Sequence, residues 1–257
     1  NNGGATLTHA PLTGSPAIDR GKDFGPVGPG YGATGVDERG HVRPQTYNDP
    51  SITPPAGGDR SDIGAVELSP GVMPISEVSR KVHGAAGTFD IPLSLSGPVE
   101  TECRSGGASG VYQLVLTFAT PVTFSSAAVT SGIGVVTSVT LDGQSEGTVG
   151  STVVTIGLSG VTNQQRLTVG LLGVNDGSNS GDVGVRVGMV LGDTTGNGAV
   201  ASSDVSQTKT QSGQPVSTSN FRNDVNANGA ITASDIAIVK AQSGQDLPPV
   251  PTEPNRQ

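Results

Sequence analysis

Near its C-terminal end the chain twice sets oxygen-bearing side chains at the same intervals within twelve residues. In the first stretch these are Asp193, Thr195, Asn197 and Asp204, with Gly198 at the sixth position and Ala199 at the seventh. In the second they are Asp224, Asn226, Asn228 and Asp235, with Gly229 and Ala230 in the matching places. Carboxylate, amide and hydroxyl oxygens at positions 1, 3, 5 and 12, with a backbone carbonyl from position 7, make a donor set for a hard cation. Calcium takes six to eight oxygens at about 2.3 to 2.6 Å, and a glycine at position 6 allows the sharp turn that lets them converge. Asp and Asn also form turns and cap helices without metal, but two loops repeating one pattern favour the cation. Two calcium sites are therefore expected. The second is the more complete, because Thr195 stands in the first where Asn226 stands in the second. With only two carboxylates per loop, affinity is expected in the weak extracellular range of about 10⁻⁴ to 10⁻³ M.

What positions these loops is also written in the repeat. The stretch GDTTGNGAVASSDVSQTKTQSGQ aligns with NDVNANGAITASDIAIVKAQSGQ at an offset of 224 − 193 = 31 residues, and self-similarity of this kind marks a duplicated unit. After each loop the apolar spacing turns helical, opening at Val205 in one unit and running through Ile236, Ile238 and Val239 in the other. Each unit thus reads as a loop followed by one helix. That is half an EF-hand, without the entering helix and with Asp instead of Glu at position 12. In both respects it resembles the type I dockerin family. The resemblance implies two F-hand loops folded around calcium and docking on a cohesin-like domain or on a neighbouring domain of the same assembly. It also places the partner contact at positions 10 and 11, here Ser202, Ser203, Ala233 and Ser234.

Ahead of this module, from about residue 70 to 191, apolar residues recur at every second position in runs bounded by Gly, Ser, Asn and Asp. Phe89, Ile91, Leu93 and Leu95 form one run. Tyr112, Leu114, Leu116 and Phe118 form another, and further runs follow at Val153 to Leu158, at Leu167, Val169 and Leu171, and at Val183, Val185, Val187 and Met189. Residues two apart in a strand share a face, so about eight half-buried strands are expected, stacked as an antiparallel sandwich. Phe89, Leu93, Leu114, Leu116, Leu167 and Val185 are expected in its core. The pieces SRKVHG, GTFDIPL, ECRSGG and YQLVLTF are similar to modules that precede dockerin-like repeats in large exported bacterial proteins, which implies an immunoglobulin-like or cohesin-like shape. SPAIDRG, VDERGHVRP and DIGAVEL, within 1–69, resemble the end of a right-handed parallel β-helix. The expected order is mainly β: the end of a β-helix over 1–69, the sandwich over 70–191, a small α dockerin-like domain over 192–246, and a disordered proline-rich tail over 247–257.

Composition narrows the function. Gly (39) and Pro (18) are abundant, aromatics make up 3% and Trp is absent, which favours short strands and tight turns over helical bundles. A net charge of −8 and no Lys/Arg cluster exclude nucleic acid as a partner. No apolar run approaches the roughly 18 residues that span a bilayer. The start at Asn1 suggests a processed piece of a larger secreted or cell-surface bacterial protein. Cys103 is the sole cysteine and is expected to be a buried apolar residue.

Other motifs carry less. Gly143-Gln144-Ser145-Glu146-Gly147 has the spacing of a nucleophile elbow but lies between strand-like runs, so a hairpin is expected. The segment Gly28-Pro29-Gly30-Tyr31-Gly32-Ala33 lacks the flanking strand and helix of a dinucleotide loop. His9, His41 and His83 share no metal spacing and are expected at the surface or satisfied by hydrogen bonds. Asp19, Asp37, Arg39 and Asp62 are read as turn residues, with catalytic roles as the competing reading. The resulting expectation is a non-catalytic attachment region, with cell-surface polysaccharide as a further partner. The competing readings are the tail of a polysaccharide-degrading β-helix enzyme and a subunit of a surface filament.

Overall fold

The computed structural model describes residues 72–249, apart from 96, 142–143, 146–149 and 178, together with the isolated positions 56 and 63. The expected β-helix end, with Asp19, Asp37, Arg39 and Asp62, lies outside the described residues, as do His9 and His41. The chain divides into two units, one of Met73–Asp176 with Asp182–Gln257 and one of Asn1–Val72 with Gly177–Gly181. The description below concerns the first.

Alternating apolar and polar residues produce the strands expected of them. Five belong with the first sheet's long members: β1 (Ser76–His83), β2 (Gly87–Pro92), β4 (Tyr112–Val122), β6 (Val135–Leu141) and β8 (Ser151–Ser159), and a two-residue β7 (Gln144–Ser145) completes it. Their order is β2-β1-β4-β8-β6-β7. The second sheet has the order β3-β10-β9-β5, from β3 (Thr101–Glu102), β5 (Ser126–Ser131), β9 (Gln165–Asn175) and β10 (Ser180–Met189). Period-two patterning turns Val154, Ile156 and Leu158 of β8 inward, and does the same for Val183, Val185 and Val187 of β10. Burying six such side chains stabilises the fold by roughly 1.5 to 3 kcal/mol each before entropy is counted. Strand β4 lies in the middle of its sheet, and Val115 is buried along with Leu114 and Leu116.

Three details depart from the sequence reading. Strand β3 runs parallel to β10, pairing Gly188 with Thr101 and Met189 with Glu102, so the sandwich is not wholly antiparallel. Leu95 falls beyond the end of β2 and is 40% exposed. Phe89, expected in the core with Leu93, Leu114, Leu116, Leu167 and Val185, is only half-buried, whereas the other five are buried. Its ring stacks instead on Phe221, with centroids 5.3 Å apart and planes 6° from parallel. Around Ser145, β6 and β7 pair antiparallel, Leu141 opposite Gln144, which is a hairpin and not a strand-to-helix elbow.

After β10 the chain forms helix α1 (Ser202–Gln211), a single 3₁₀ turn (Phe221–Asn223) and helix α2 (Ala233–Ala241). Neither helix has a broad apolar face, and the small core here is Val190, Val200, Val225 and Val239, with Leu191, Val205, Ile238 and Leu247 packed against it. Leu247 belongs to the stretch expected to be a disordered tail. Its amide donates to Gly198 O at 2.7 Å, and Pro248 O accepts from Arg166 Nε at 2.7 Å, so the first residues after 246 are held against the fold.

Candidate metal centre and its junction with the sandwich

Each loop is drawn tight around the carboxylate at its first position. Asp193 Oδ1 accepts from the amides of Gly196 (2.8 Å) and Asn197 (3.1 Å), and its Oδ2 accepts from Gly198 (2.8 Å). Asp224 repeats this: Oδ1 accepts from Asn228 N at 3.1 Å and Oδ2 from Gly229 N at 2.8 Å. Gly198 and Gly229 lie at φ +87° and +93°, the left-handed region that a side chain disfavours, which is why glycine stands at position 6 of both loops. At position 5, Asn197 Oδ1 accepts from Ala199 N (3.0 Å) and Asn228 Oδ1 from Ala230 N (2.9 Å).

The last position closes each loop onto its helix. Asp204 Oδ2 accepts from Ala201 N and Asp235 Oδ2 from Thr232 N, both at 2.9 Å. Each carboxylate thus caps the N-terminus of its own helix, α1 or α2, where backbone amides lack partners. Asp204 Oδ1 also accepts from the Thr195 amide and hydroxyl, each at 2.9 Å. Burial would raise the Asp204 carboxyl, but the hydrogen bonds from Ala201, Thr195 and Ser203 outweigh it and hold the group below the ordinary carboxylate range.

The four carboxylates at positions 1 and 12 are fully buried, while Thr195, Asn197 and Asn228 are exposed and Asn226 is half-buried. The ten expected residues therefore gather into two loops, with Ala199 half-buried and Ala230 exposed at position 7. In loop one Thr195 Oγ lies 2.9 Å from Asp204 Oδ1 and 3.3 Å from Asp193 Oδ1. Oxygens that share one calcium ion stand roughly 3 Å apart, given bonds of about 2.3 to 2.6 Å, so the spacing of these three oxygens fits the ion. Loop two differs in a cost the sequence does not announce: Ala227, at position 4, takes φ +54°, where loop one has Gly196 at φ +78°. A left-handed alanine costs roughly 1 kcal/mol.

The two halves also exchange backbone bonds at equivalent places. Gly213 N donates to Ile231 O at 2.9 Å, and 31 residues further on Gly244 N donates to Val200 O at 2.9 Å. Residues 191–242 match the family model of the dockerin type I domain. No curated protein and no solved structure matches the chain. A dockerin domain is a calcium-binding module for protein–protein assembly, and its partners are cohesin domains. Among the described residues no helix is long and apolar enough to cross a membrane.

The dockerin domain is joined to the sandwich through polar side chains that periodicity could not flag. Strand β1 turns Glu77, Ser79 and His83 inward, and opposite them runs the segment Thr101 to Arg104, all buried. Arg104 is enclosed completely. Its Nε and Nη2 donate to the two oxygens of Glu102 at 2.8 and 2.6 Å, Nη2 also to Ser79 O, and Nη1 to Phe89 O, both at 2.8 Å. The remaining donor of Nη1 meets His83 Nε2 at 3.3 Å, so all five guanidinium N–H groups have partners. Burial opposes the Glu102 charge, but the charge and hydrogen bonds of Arg104, with the Ser79 hydroxyl, hold that carboxyl below its ordinary range.

From this network His83 reaches Asp224: Nδ1 lies 2.9 Å from Oδ2, and both side chains are fully buried. A neutral ring donating from Nδ1 and accepting at Nε2 satisfies both contacts. His83 is thus a hydrogen-bonded histidine, one of the two alternatives expected of it. Phe89, Phe221 and His83 form an aromatic cluster here, the imidazole meeting both phenyl rings edge-on. On the other loop, Thr101 Oγ donates to Asp193 Oδ2 at 2.7 Å, and Arg222 Nη2 donates to Asp193 O at 2.9 Å. Cys103 is buried as expected, and desolvation pushes its thiol up to about 11.

Proposed function

We propose that this chain is a non-catalytic, calcium-dependent attachment region of a larger secreted or cell-surface bacterial protein, docking a cohesin-like domain through the starts of α1 and α2. The observation that carries this is the match of residues 191–242 to the dockerin type I domain, laid over two loops whose position-1 carboxylates are each ringed by loop amides. Asp193, Thr195, Asn197, Asp204 and the Ala199 carbonyl would hold one calcium ion. Asp224, Asn226, Asn228, Asp235 and the Ala230 carbonyl would hold the other. Calcium supplies charge neutralisation and a cross-link between the ends of each loop. The protein's own contribution is to keep Asp204 and Asp235 locked to their helix starts, so that closing a loop fixes the direction of the helix behind it.

That geometry leaves Ser202, Ser203, Ala233 and Ser234 exposed at the two helix starts, while the loop backbones face the sandwich. Small side chains there give a flat surface that a partner can approach closely. A panel of immobilised type I cohesin domains tests the reading. Capture is expected in millimolar calcium, with release by chelator and loss on combining Ser203→Arg with Ser234→Arg. Capture that survives chelation, or that ignores both arginines, would contradict it.

A further inference from the structure

Both position-1 carboxylates receive a donor from outside their own loop, and in both the donor comes from the sandwich. Thr101 Oγ donates to Asp193 Oδ2, the oxygen already held by Gly198 N; His83 Nδ1 meets Asp224 Oδ2, the oxygen already held by Gly229 N. In each loop it is the same oxygen of the same ligand position that is taken. Among the described residues Oδ1 accepts only from its own loop, from the amides of Gly196 and Asn197 on Asp193 and of Asn228 on Asp224, and in loop one it lies 3.3 Å from another of the loop's donors, Thr195 Oγ.

We propose that Thr101 and His83 are positioning residues for calcium, one per loop, so that the sandwich sets the metal affinity of the dockerin domain. The inference rests on the calcium reading above. A carboxylate that must present one oxygen to a cation gains from having its other oxygen pinned, because ordering it then costs nothing at the moment of binding. Hydrogen bonds behind a ligand of this kind typically change metal affinity by about 10- to 100-fold.

Several further contacts make the arrangement rigid. The backbone of loop two sits directly on the turn after β1. A β-carbon on Gly84 would lie 2.2 Å from Asn228 O, and one on Gly229 would lie 2.8 Å from His83 O. Ser105 N donates to Val225 O at 2.7 Å, and Gly192 N donates to Cys103 O at 2.9 Å. His83 is in turn fixed by Arg104 and packed edge-on against the stacked pair of Phe89 and Phe221. Thr101 has a second anchor in Arg222 Nη2, 3.2 Å from its hydroxyl.

The test needs each loop read separately, and the amides of Gly198 and Gly229 provide this, since each donates to one position-1 carboxylate. Calcium is titrated into the intact chain while both amide resonances are followed by ¹H–¹⁵N correlation spectra. Thr101→Val should raise the calcium midpoint at Gly198 by on the order of tenfold and leave Gly229 unchanged. His83→Ala should do the reverse. Thr101→Ser restores the hydroxyl and His83→Asn restores an N–H near the Nδ1 position, and both should recover most of the lost affinity. The near-isosteric Thr101→Val and the His83→Asn rescue keep the test open if His83→Ala fails to fold. Variants that leave their own loop within twofold of the parent, or that shift both loops equally, overturn the proposal while calcium binding by the parent stands. No calcium response at either glycine of the parent would overturn the calcium reading as well.

Discussion

Replacing Arg104 with Met tests whether the junction is held by its buried ion pair. The side chain is fully enclosed and makes five hydrogen bonds, to both oxygens of Glu102, to the carbonyls of Ser79 and Phe89, and to His83 Nε2. Arg104→Met keeps most of the volume and removes every donor. Glu102, itself buried, would keep only the Ser79 hydroxyl and the Arg104 backbone amide. Breaking one side of a buried pair costs roughly 3 to 5 kcal/mol, and orphaned carbonyls add to it, so a loss of about 4 kcal/mol is expected. The neutral double variant Glu102→Gln with Arg104→Met should recover about 2 kcal/mol of that, because no uncompensated charge remains. Urea unfolding at pH 7 in saturating calcium, followed by far-ultraviolet circular dichroism, measures both. The pair also sets a pH signature. Glu102 titrates below its unfolded value, so its contribution is present above about pH 4.5 and is lost as pH falls through the folded pKa. A single variant that loses less than about 1 kcal/mol, or a double variant no better than the single one, would refute the reasoning.

Other perturbations follow from particular groups. Burial raises Glu77 to about 7, against a smaller opposing pull from Arg186; the folded chain therefore holds that proton more tightly than the unfolded one. Stability should fall by about 2 kcal/mol between pH 5 and pH 8, and Glu77→Gln should flatten that part of the profile in thermal melts. The Cys103 thiol is buried and raised to about 11, so a thiol reagent at pH 8 should label it only in denaturant; rapid labelling of the folded chain would contradict the burial. Gly84→Ala places a β-carbon against Asn228 O at φ +46°, and should cost at least about 2 kcal/mol in urea unfolding. Gly87→Ala, also at positive φ but with nothing within 4 Å, should cost less.

Much of the sandwich was legible because period-two alternation is a local property. Val183, Val185 and Val187 state their own face, and so do Leu167, Val169 and Leu171. The repeat of the two loops was legible for a related reason: their oxygen-bearing residues lie within twelve residues, and a second copy 31 residues on repeats the spacing. The junction was not legible. His83 and Asp224 are 141 residues apart, and no pattern within either segment points to the other. Glu102 and Arg104 flank a cysteine just ahead of a Ser/Gly-rich stretch with no apolar alternation to mark a buried face, yet both are buried because each neutralises the other. Phe89 was misplaced in the core for the same reason. Its alternation is that of a core residue, but the surface it packs on belongs to Phe221, in the dockerin domain. One signal was present: the strand SEVSRKVH puts Glu, Ser, Lys and His on a single face, an odd choice for a strand packed on an apolar layer.

Calcium titration of the intact chain by calorimetry, paired with thermal melts in chelator and in millimolar calcium, bears most directly on the proposed function. Two binding events are expected toward the weak extracellular range of about 10⁻⁴ to 10⁻³ M, with melting of residues 192–246 shifted upward by the ion. Asp224→Ala and Asp193→Ala should each remove one event. No binding heat up to about 10 mM calcium, together with identical melts in chelator and calcium, would show that the loops are capped turns and that attachment does not run through the ion.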